Sequence, residues 1–79
     1  MVSKNIRMFR LARKLTQKQL ANIIMVQDYT IGDWERGRSE PSLEDLRKLC
    51  VVFDISADEL LDIETPMERQ KVIINKENQ

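Results

Sequence analysis

Residues 15–37 read LTQKQLANIIMVQDYTIGDWERG and contain two short amphipathic segments separated by only three residues. In the first segment, Thr16 and Gln19 form a capping box, which predicts that a helix begins directly after Thr16. In the second segment, Ile31 and Trp34 are three residues apart, and Gly37 follows as a typical helix terminator. This stretch therefore predicts two helices joined by a tight turn.

One further helix is predicted upstream, over residues 4–13. Ile6 and Phe9 are expected to face the core, together with Met8 and Ala12. The basic residues expected to face solvent are Lys4, Arg7, Arg13 and Lys14. The segment is therefore predicted to be a surface helix with one apolar side.

Two more helices are predicted downstream. A loop follows Gly37, after which Ser42 is placed to cap a fourth helix. Ser56 and Glu59 form a second capping box, which predicts a short fifth helix over residues 57–61. The apolar stripe of the fourth helix consists of Leu43, Leu46, Leu49, Cys50 and Phe53.

The size of the chain limits it to one small core, because it has 79 residues of which 42% are apolar. We expect one all-α domain over residues 1–63 and a tail over residues 64–79. The tail is polar except for an apolar triplet at residues 72–74. It is expected to form a dimerisation strand with a second chain, to extend the last helix, or to be disordered.

The composition argues against catalysis. The chain has no histidine, and its single cysteine, Cys50, is interpreted as a small apolar core residue. Without a glycine-rich phosphate loop or an activated nucleophile, we expect no enzyme, no catalytic residues, no metal site and no small-molecule cofactor. No apolar run approaches the roughly 20 residues that cross a bilayer, and the N-terminal residues lack the apolar segment and cleavage site of a signal peptide. We therefore expect a cytoplasmic protein with no membrane partner.

Charge is distributed very unevenly along the chain, although the formal net charge is zero. Residues 1–27 contain six basic residues and no acidic ones, whereas residues 28–79 contain 7 basic and 13 acidic residues. A basic N-terminal third is suited to face phosphate groups, while the acidic remainder limits unspecific binding to polyanions. The alternative is that these charges only solvate ordinary helix faces.

Residues 6–61 resemble the phage Cro and CI repressor type of helix-turn-helix domain. The matching positions are Phe9, Arg10, residues 15–21, residues 31–37, residues 41–43, residues 53–56 and residues 59–61. The resemblance implies a compact five-helix, lambda-repressor-like fold. It also implies sequence-specific binding of double-stranded DNA at a pseudo-palindromic operator by a homodimeric transcriptional regulator, with repression as the expected role. The alternative is a protein-interaction module of the same fold, resembling an antitoxin or antirepressor, that does not bind DNA.

The resemblance also implies roles for residues that hold the two central helices. Gln17, at the start of the second helix, is expected to donate to a phosphate, or else to be an ordinary solvated helix residue. Arg10 and Glu35 are expected to form a partly buried ion pair between the first and third helices, with Arg10 also a candidate phosphate contact. Ala21 and Ile31 are expected to pack the two helices closely.

The resemblance places the DNA-contacting surface on the third helix. Its expected members are Asp28, Tyr29, Thr30 and Asp33, with Gly32 allowing close approach to the groove wall. Tyr29 is expected to stack on a sugar or touch a thymine methyl group, and Thr30 to contact a base or a phosphate.

Two of these residues are acidic, which is unusual beside phosphates. Asp28 is expected either to cap the third helix or to contact a base. Asp33 is expected either to accept a hydrogen bond from a cytosine amino group or to face solvent.

The end of the third helix and the following loop are expected to contact phosphates through Arg36, Arg38 and Ser39. The chain also departs from the family pattern, because Lys14 and Met25 replace glycines that the family uses to end the first and second helices. A left-handed backbone at either residue costs roughly 1 kcal/mol relative to glycine, so a locally adjusted turn is expected.

Overall fold

The computed structural model describes residues 2–61, which form five helices and no strand. Their bounds are α1 Val2–Ala12, α2 Gln17–Ile24, α3 Asp28–Glu35, α4 Leu43–Phe53 and α5 Ala57–Leu61. The all-α, five-helix fold predicted from the sequence is confirmed. The expected domain end at residue 63 and the tail at residues 64–79 lie outside the described residues.

Every helix contributes to one apolar core. Its fully or almost fully buried side chains are Ile6, Leu20, Ala21, Ile24, Ile31, Trp34, Leu49, Phe53 and Leu60. Phe9 packs against this cluster, with its ring centroid 5.8 Å from that of Phe53. Because α3 packs against α1 and α2, and α4 packs against α1, α2 and α5, the core holds the position of α3.

Side-chain caps start three of the helices where the sequence predicts them. The Thr16 hydroxyl accepts a hydrogen bond from the Gln19 amide at 3.0 Å, and the Gln19 side chain accepts one from the Thr16 amide at 2.8 Å. Ser56 and Glu59 exchange the same pair of bonds at the start of α5. Ser42 accepts from the backbone amide of the third residue after it, which caps α4. These local bonds satisfy amides that have no partner within a helix.

The buried side of α1 differs from the prediction. Met8 is 50% exposed and Ala12 is also exposed, whereas the polar residues Asn5 and Arg10 are buried. The prediction was correct for Ile6 and Phe9 and wrong for Met8 and Ala12, because it assigned inward positions by hydrophobicity alone. Asn5 is tolerated in the interior because its side-chain amide donates to the carbonyl of Leu60 at 2.9 Å, which ties α1 to α5.

The predicted apolar stripe of α4 is confirmed except at its first residue. Leu49 and Phe53 are fully buried, and Leu46 and Cys50 are partly buried against the core. Leu43 is 78% exposed, because it begins the helix beyond the edge of the core. Burial raises the pKa of the Cys50 thiol. The thiol therefore stays protonated at neutral pH and behaves as an apolar group.

Among residues 2–61, three residues other than glycine adopt a left-handed backbone: Lys14 (φ 58°), Met25 (φ 61°) and Asp54 (φ 56°). The first two stand where the resembled family has glycine, so the turns keep left-handed geometry instead of adjusting locally. Asp54, which ends α4, was not predicted. Aspartate tolerates this conformation better than most residues, because its short polar side chain can bond locally.

We expect Met25→Gly to raise the free energy of unfolding by about 1 kcal/mol, because glycine adopts a positive φ without steric strain. The Met25 side chain is 80% exposed, so its removal sacrifices little packing. Chemical denaturation with an extrapolated free energy of unfolding measures the gain. Met25→Ala is the matched control, since it shortens the side chain but keeps the Cβ atom. An equal gain in both variants would show that the left-handed strain is not the cause.

Candidate nucleic-acid interface

The helices α2 and α3 form a rigid pair joined by residues 25–27. Ile31 and Trp34 of α3 are buried against Leu20 and Ile24 of α2, and Ala21 is only 1% exposed at the contact. The small Ala21 side chain lets the helices approach closely. The packing roles expected for Ala21 and Ile31 are therefore confirmed, and the opposite side of α3 is left facing outward.

A buried ion pair locks the end of α3 to α1. The Arg10 guanidinium donates to Glu35 from Nε to Oε2 at 2.6 Å and from Nη2 to Oε1 at 2.9 Å. The exposed fractions of the two side chains are 9% and 5%. The hydrogen bond to Glu35 raises the pKa of Arg10, against the opposing effect of burial. The ion pair expected from the family resemblance is confirmed.

The guanidinium of Arg10 also donates from Nη1 to the carbonyl of Leu15 at 2.7 Å. All three of its nitrogens are thus engaged within the fold, and the residue is only 7% exposed. Its two remaining N–H groups have little access to an external phosphate, because the residue is buried. We therefore assign Arg10 a positioning role and leave it out of the candidate contact surface.

Gln17 is the first residue of α2 and is partly buried. Its side-chain amide donates to Oε1 of Glu35 at 3.3 Å, so it joins the start of α2 to the ion pair of Arg10 and Glu35. An amide nitrogen has two hydrogens, and this bond uses one of them. The residue thus has a role in positioning that the sequence did not predict, and it retains one donor.

Asp28 does not cap α3, so that interpretation is wrong. The N-cap is Gln27, which makes no side-chain capping bond, and Asp28 is the first residue of the helix. The helix begins earlier than predicted because the Thr30 amide donates to the Gln27 carbonyl at 3.0 Å. The Asp28 carboxylate accepts from the Tyr29 amide at 2.8 Å and is exposed. It still favours the helix, since it lies at the positive end of the helix dipole.

The outward side of α3 carries Tyr29, Gly32, Asp33 and Arg36 at the spacing of one helical face. Tyr29 is 65% exposed. The side chains of Arg36 and Asp33 are 52% and 31% exposed, and they form an ion pair in which Nη2 of Arg36 lies 3.2 Å from Oδ1 of Asp33. Thr30 lies beside this face and is partly buried. Asp33 therefore does not simply face solvent, because it is bonded to Arg36.

The sequence suggested that Gly32 leaves an open approach for a groove wall, but the structure does not leave that approach open. The residue is buried, and a Cβ atom built on it would lie 3.1 Å from both terminal nitrogens of Arg36. The space above Gly32 is therefore occupied by the Arg36 guanidinium. Because Gly32 has no side chain, there is room for the Arg36 side chain from the end of α3.

Arg38 and Ser39 lie in the loop after α3, and both are exposed. The loop leaves the helix through Gly37, which has φ 75°. The Arg38 amide donates to the carbonyl of Asp33 at 2.9 Å, so the backbone of Arg38 is fixed to the end of α3. The two loop residues are thus presented next to Arg36.

A basic groove, missed by the sequence analysis, lies where the end of α1 meets the starts of α2 and α3. Its volume is about 670 Å³. Its lining residues are Arg10, Leu11, Lys14, Leu15, Thr16, Gln17, Lys18, Asp28 and Tyr29. Lys14 and Lys18 are exposed, and they extend the candidate surface from α3 toward α1. The cluster of basic residues was the available signal, but it did not indicate which of them share a face.

Arg13, another member of the basic N-terminal third, serves a different purpose. Its guanidinium lies 5.5 Å from the ring centroid of Phe9 and 5.3 Å from that of Phe53. It also donates to the carbonyl of Phe53 at the end of α4. The basic third therefore does not form one surface, because Arg10 and Arg13 make bonds within the fold.

Residues 2–61 contain neither a metal-binding cluster nor a membrane-spanning helix. No group of three or more His, Cys, Asp or Glu side chains in this range is arranged to hold a metal ion. No helix within the same range is both long and apolar enough to cross a membrane. The groups that stand out in this part of the chain are thus the polar and basic residues around α3.

Comparisons with known proteins agree with this geometry. A family model described as helix-turn-helix matches residues 6–60. The HTH-type transcriptional activator BcrR of Enterococcus faecalis is 34% identical over 59 residues, which are 75% of this chain and 29% of BcrR. The chain thus spans less than a third of the length of that curated relative.

Two solved structures are similar in both sequence and fold. The P22 c2 repressor in complex with synthetic operator 9T superposes with a TM-score of 0.72 at 32% identity, covering 76% of this chain and 91% of the repressor chain. The restriction-modification controller protein C.AhdI of Aeromonas hydrophila superposes with a TM-score of 0.70 at 32% identity, covering 75% and 89%. The protein therefore belongs to the helix-turn-helix family of transcriptional regulators, of the Cro and CI repressor type that its sequence resembles.

Proposed function

We propose that this protein binds double-stranded DNA in a sequence-specific manner and acts as a homodimeric transcriptional repressor. The observation that carries the proposal is the position of α3. The helix is held by Ile31, Trp34 and the Glu35 ion pair, and it leaves the face of Tyr29 and Arg36 outward beside a basic groove. A helix fixed in this way fits the major groove, while its neighbours follow the backbone.

The proposed contacts divide into two groups. Gln17, Arg38 and Ser39 contact phosphates, together with the two exposed lysines of the basic groove. The outward part of α3 faces the base pairs. Its members in this proposal are Asp28, Tyr29 and Thr30. Arg36, which is bonded to Asp33, lies between the two groups. Contacts to phosphates set affinity and orientation, whereas contacts to base edges set sequence preference.

The homodimer is supported by an apolar hollow between α4 and α5, on helices other than α3. It has a volume of about 110 Å³ and is lined by Leu43, Leu46, Arg47, Cys50, Ala57, Leu60 and Leu61. Leu43 is 78% exposed at its rim, so contact with a second copy would remove apolar surface from water. A two-fold dimer would present two α3 helices to half-sites about one helical turn apart on a pseudo-palindrome.

Repression is proposed because a protein bound at a promoter can block transcription by its presence there. Binding to DNA through the candidate interface is enough for this role. The relative that was solved with an operator is named a repressor, whereas the curated relative is named an activator. The proposed activity places the protein in the cytoplasm, where it meets DNA.

Selection of bound duplexes from a random DNA pool tests the proposal. The selected duplex is then titrated against a scrambled duplex at two salt concentrations, and the mass of the protein is measured with and without DNA. A palindromic consensus, a large affinity ratio and two copies per duplex are expected. No enrichment and only weak, salt-sensitive binding would contradict the proposal and favour a protein-interaction module of the same fold.

Arg38→Ala is expected to weaken binding to every duplex by a similar factor and to reduce the salt slope by about one unit, because one phosphate contact is lost. Titrations of the selected and scrambled duplexes over a salt series measure both effects. Arg7→Ala is the matched control, since Arg7 is exposed on α1 and lines neither the basic groove nor the apolar hollow. A loss confined to the selected duplex would contradict the phosphate role of Arg38.

A further inference from the structure

We propose that Asp33 and Gly32 together hold the Arg36 guanidinium in one orientation, and that Asp33 acts on DNA through Arg36 without touching DNA itself. This inference rests on the proposed function. It assigns the contact to the arginine and makes the aspartate a positioning residue. This role explains why the acidic residue Asp33 lies on a face of α3 that is proposed to approach phosphates.

The first support is the ion pair itself. Oδ1 of Asp33 lies 3.2 Å from Nη2 of Arg36, one helical turn further along the same face. Asp33 is the less exposed partner, with 31% of its side chain accessible against 52% for Arg36. The arginine is therefore the partner with more surface available for an external acceptor.

The second support is the glycine. Gly32 lies in the interior of α3, where glycine is less favourable than alanine. Its backbone is not in the left-handed region, so conformational freedom does not explain it. A Cβ atom at this position would lie 3.1 Å from both Nη1 and Nη2 of Arg36. Glycine therefore leaves space for the guanidinium to lie flat against the helix.

The third support is the neighbourhood of Arg36. Arg36 shares its face with Tyr29 and precedes the exposed loop residues Arg38 and Ser39, so it lies between the base-facing and phosphate-facing groups of the proposed interface. A guanidinium whose orientation is held by a carboxylate retains other N–H groups for a pair of acceptor atoms. On DNA, such a pair is provided by a guanine edge or by a phosphate.

A double-mutant cycle tests the inference on the duplex selected as described above. Asp33→Ala is expected to weaken binding at least about threefold in the wild-type background and not to weaken it in the Arg36→Ala background. Asp28→Ala is the matched control, because it removes the same charge from the same helix but its carboxylate bonds to the Tyr29 amide. The effect of Asp28→Ala is expected to be equal in both backgrounds.

Gly32→Ala provides a second test in which a loss of folding cannot imitate the result. Alanine favours the helix, so the melting temperature is expected to stay the same or rise, while affinity for the selected duplex falls. In the Arg36→Ala background, Gly32→Ala is expected to leave affinity unchanged. A loss of affinity from Gly32→Ala or Asp33→Ala that persists without Arg36 would overturn the inference.

The nature of the acceptor follows from the same variants. If Arg36 contacts a guanine edge, Arg36→Ala removes the preference at one base pair of each half-site. If it contacts a phosphate, binding to all duplexes weakens similarly and the salt slope falls by about one unit. Either result supports the inference when the cycle shows coupling to Asp33.

A measurement without DNA separates this inference from the proposed function. The side-chain Nε–H group of Arg36 is followed by NMR relaxation in the free protein, with Arg38 as the reference. Arg36 is expected to be more ordered than Arg38 in the wild type and to lose that order in Asp33→Ala. Equal mobility of the two arginines would overturn the inference even if the protein binds DNA. If Arg36 is ordered but no duplex is selected, the proposed function fails and the DNA role of the pair fails with it.

Discussion

Glu35→Ala is expected to lower the free energy of unfolding by about 3–5 kcal/mol, because it leaves the buried guanidinium of Arg10 without its counter-charge. The two side chains are 9% and 5% exposed and joined by two hydrogen bonds. Water does not readily replace the lost carboxylate at such a site. The same change removes the hydrogen-bond acceptor of Gln17, so the start of α2 loses its contact with the end of α3.

Chemical denaturation of the wild type and three variants measures this effect. Arg10→Met and Glu35→Ala are each expected to be strongly destabilised. The double variant Arg10→Met/Glu35→Ala is expected to lose much less than the sum of the two single variants, because it leaves neither charge unpaired in the interior. If the double variant were destabilised by the sum of the two single changes, the cost would come from lost packing, and the unpaired charge would not be its cause.

Phe53→Ala is expected to lower the free energy of unfolding by a similar amount, about 3–5 kcal/mol. The Phe53 side chain is fully buried, and its ring packs on Phe9 and lies beneath the guanidinium of Arg13. Its removal leaves a cavity where α1 meets α4, and it also removes one of the two rings under the arginine. A loss of this size is a large part of the total stability of a small domain.

Leu43→Ala is the matched control for Phe53→Ala. Both residues were assigned to the same apolar stripe from the sequence, but Leu43 is 78% exposed. A change of within about 0.5 kcal/mol is expected for Leu43→Ala, as for other surface substitutions. Thermal and chemical denaturation of both variants gives the comparison. Similar losses in the two variants would contradict the described position of Leu43.

Leu43→Ala also bears on assembly. If the hollow between α4 and α5 is the dimer contact, this variant is expected to shift the protein toward monomer at a concentration where the wild type is dimeric. The monomer would keep its folding stability, since Leu43 lies outside the core. Analytical ultracentrifugation distinguishes the two states. An unchanged dimer would place the contact elsewhere on the surface.

The positions of the helices were predictable because their signals are local. Thr16 with Gln19 and Ser56 with Glu59 each bond within four consecutive residues, so their spacing is enough to locate a helix start. The family resemblance marked Lys14 and Met25 as replacements of glycines, but the left-handed backbones that they keep were not predicted. The pairing of Arg10 with Glu35 likewise came from the resemblance, since 25 residues separate the two.

The contacts of several polar side chains could not be predicted. Asn5 bonds to a carbonyl 55 residues away, and Arg13 to one 40 residues away, so neither partner appears in any local pattern. The bond between Asp33 and Arg36 is local, yet two exposed charges three residues apart on a helix do not have to meet. Gly32 was interpreted as space for DNA, whereas the folded helix gives that space to Arg36.

Local sequence thus specifies the five helices and the caps of α2, α4 and α5, because capping and hydrophobic periodicity act over a few residues. The choice of α3 as the outward helix came from the family resemblance. Packing specifies which charged residues belong to the surface and which belong to the fold. Arg10 and Arg13 have the same charge as Lys14 and Lys18, but folding brings acceptors to the two arginines and buries Arg10, whereas both lysines are exposed. Burial depends on distant partners, and those partners meet only when the chain folds.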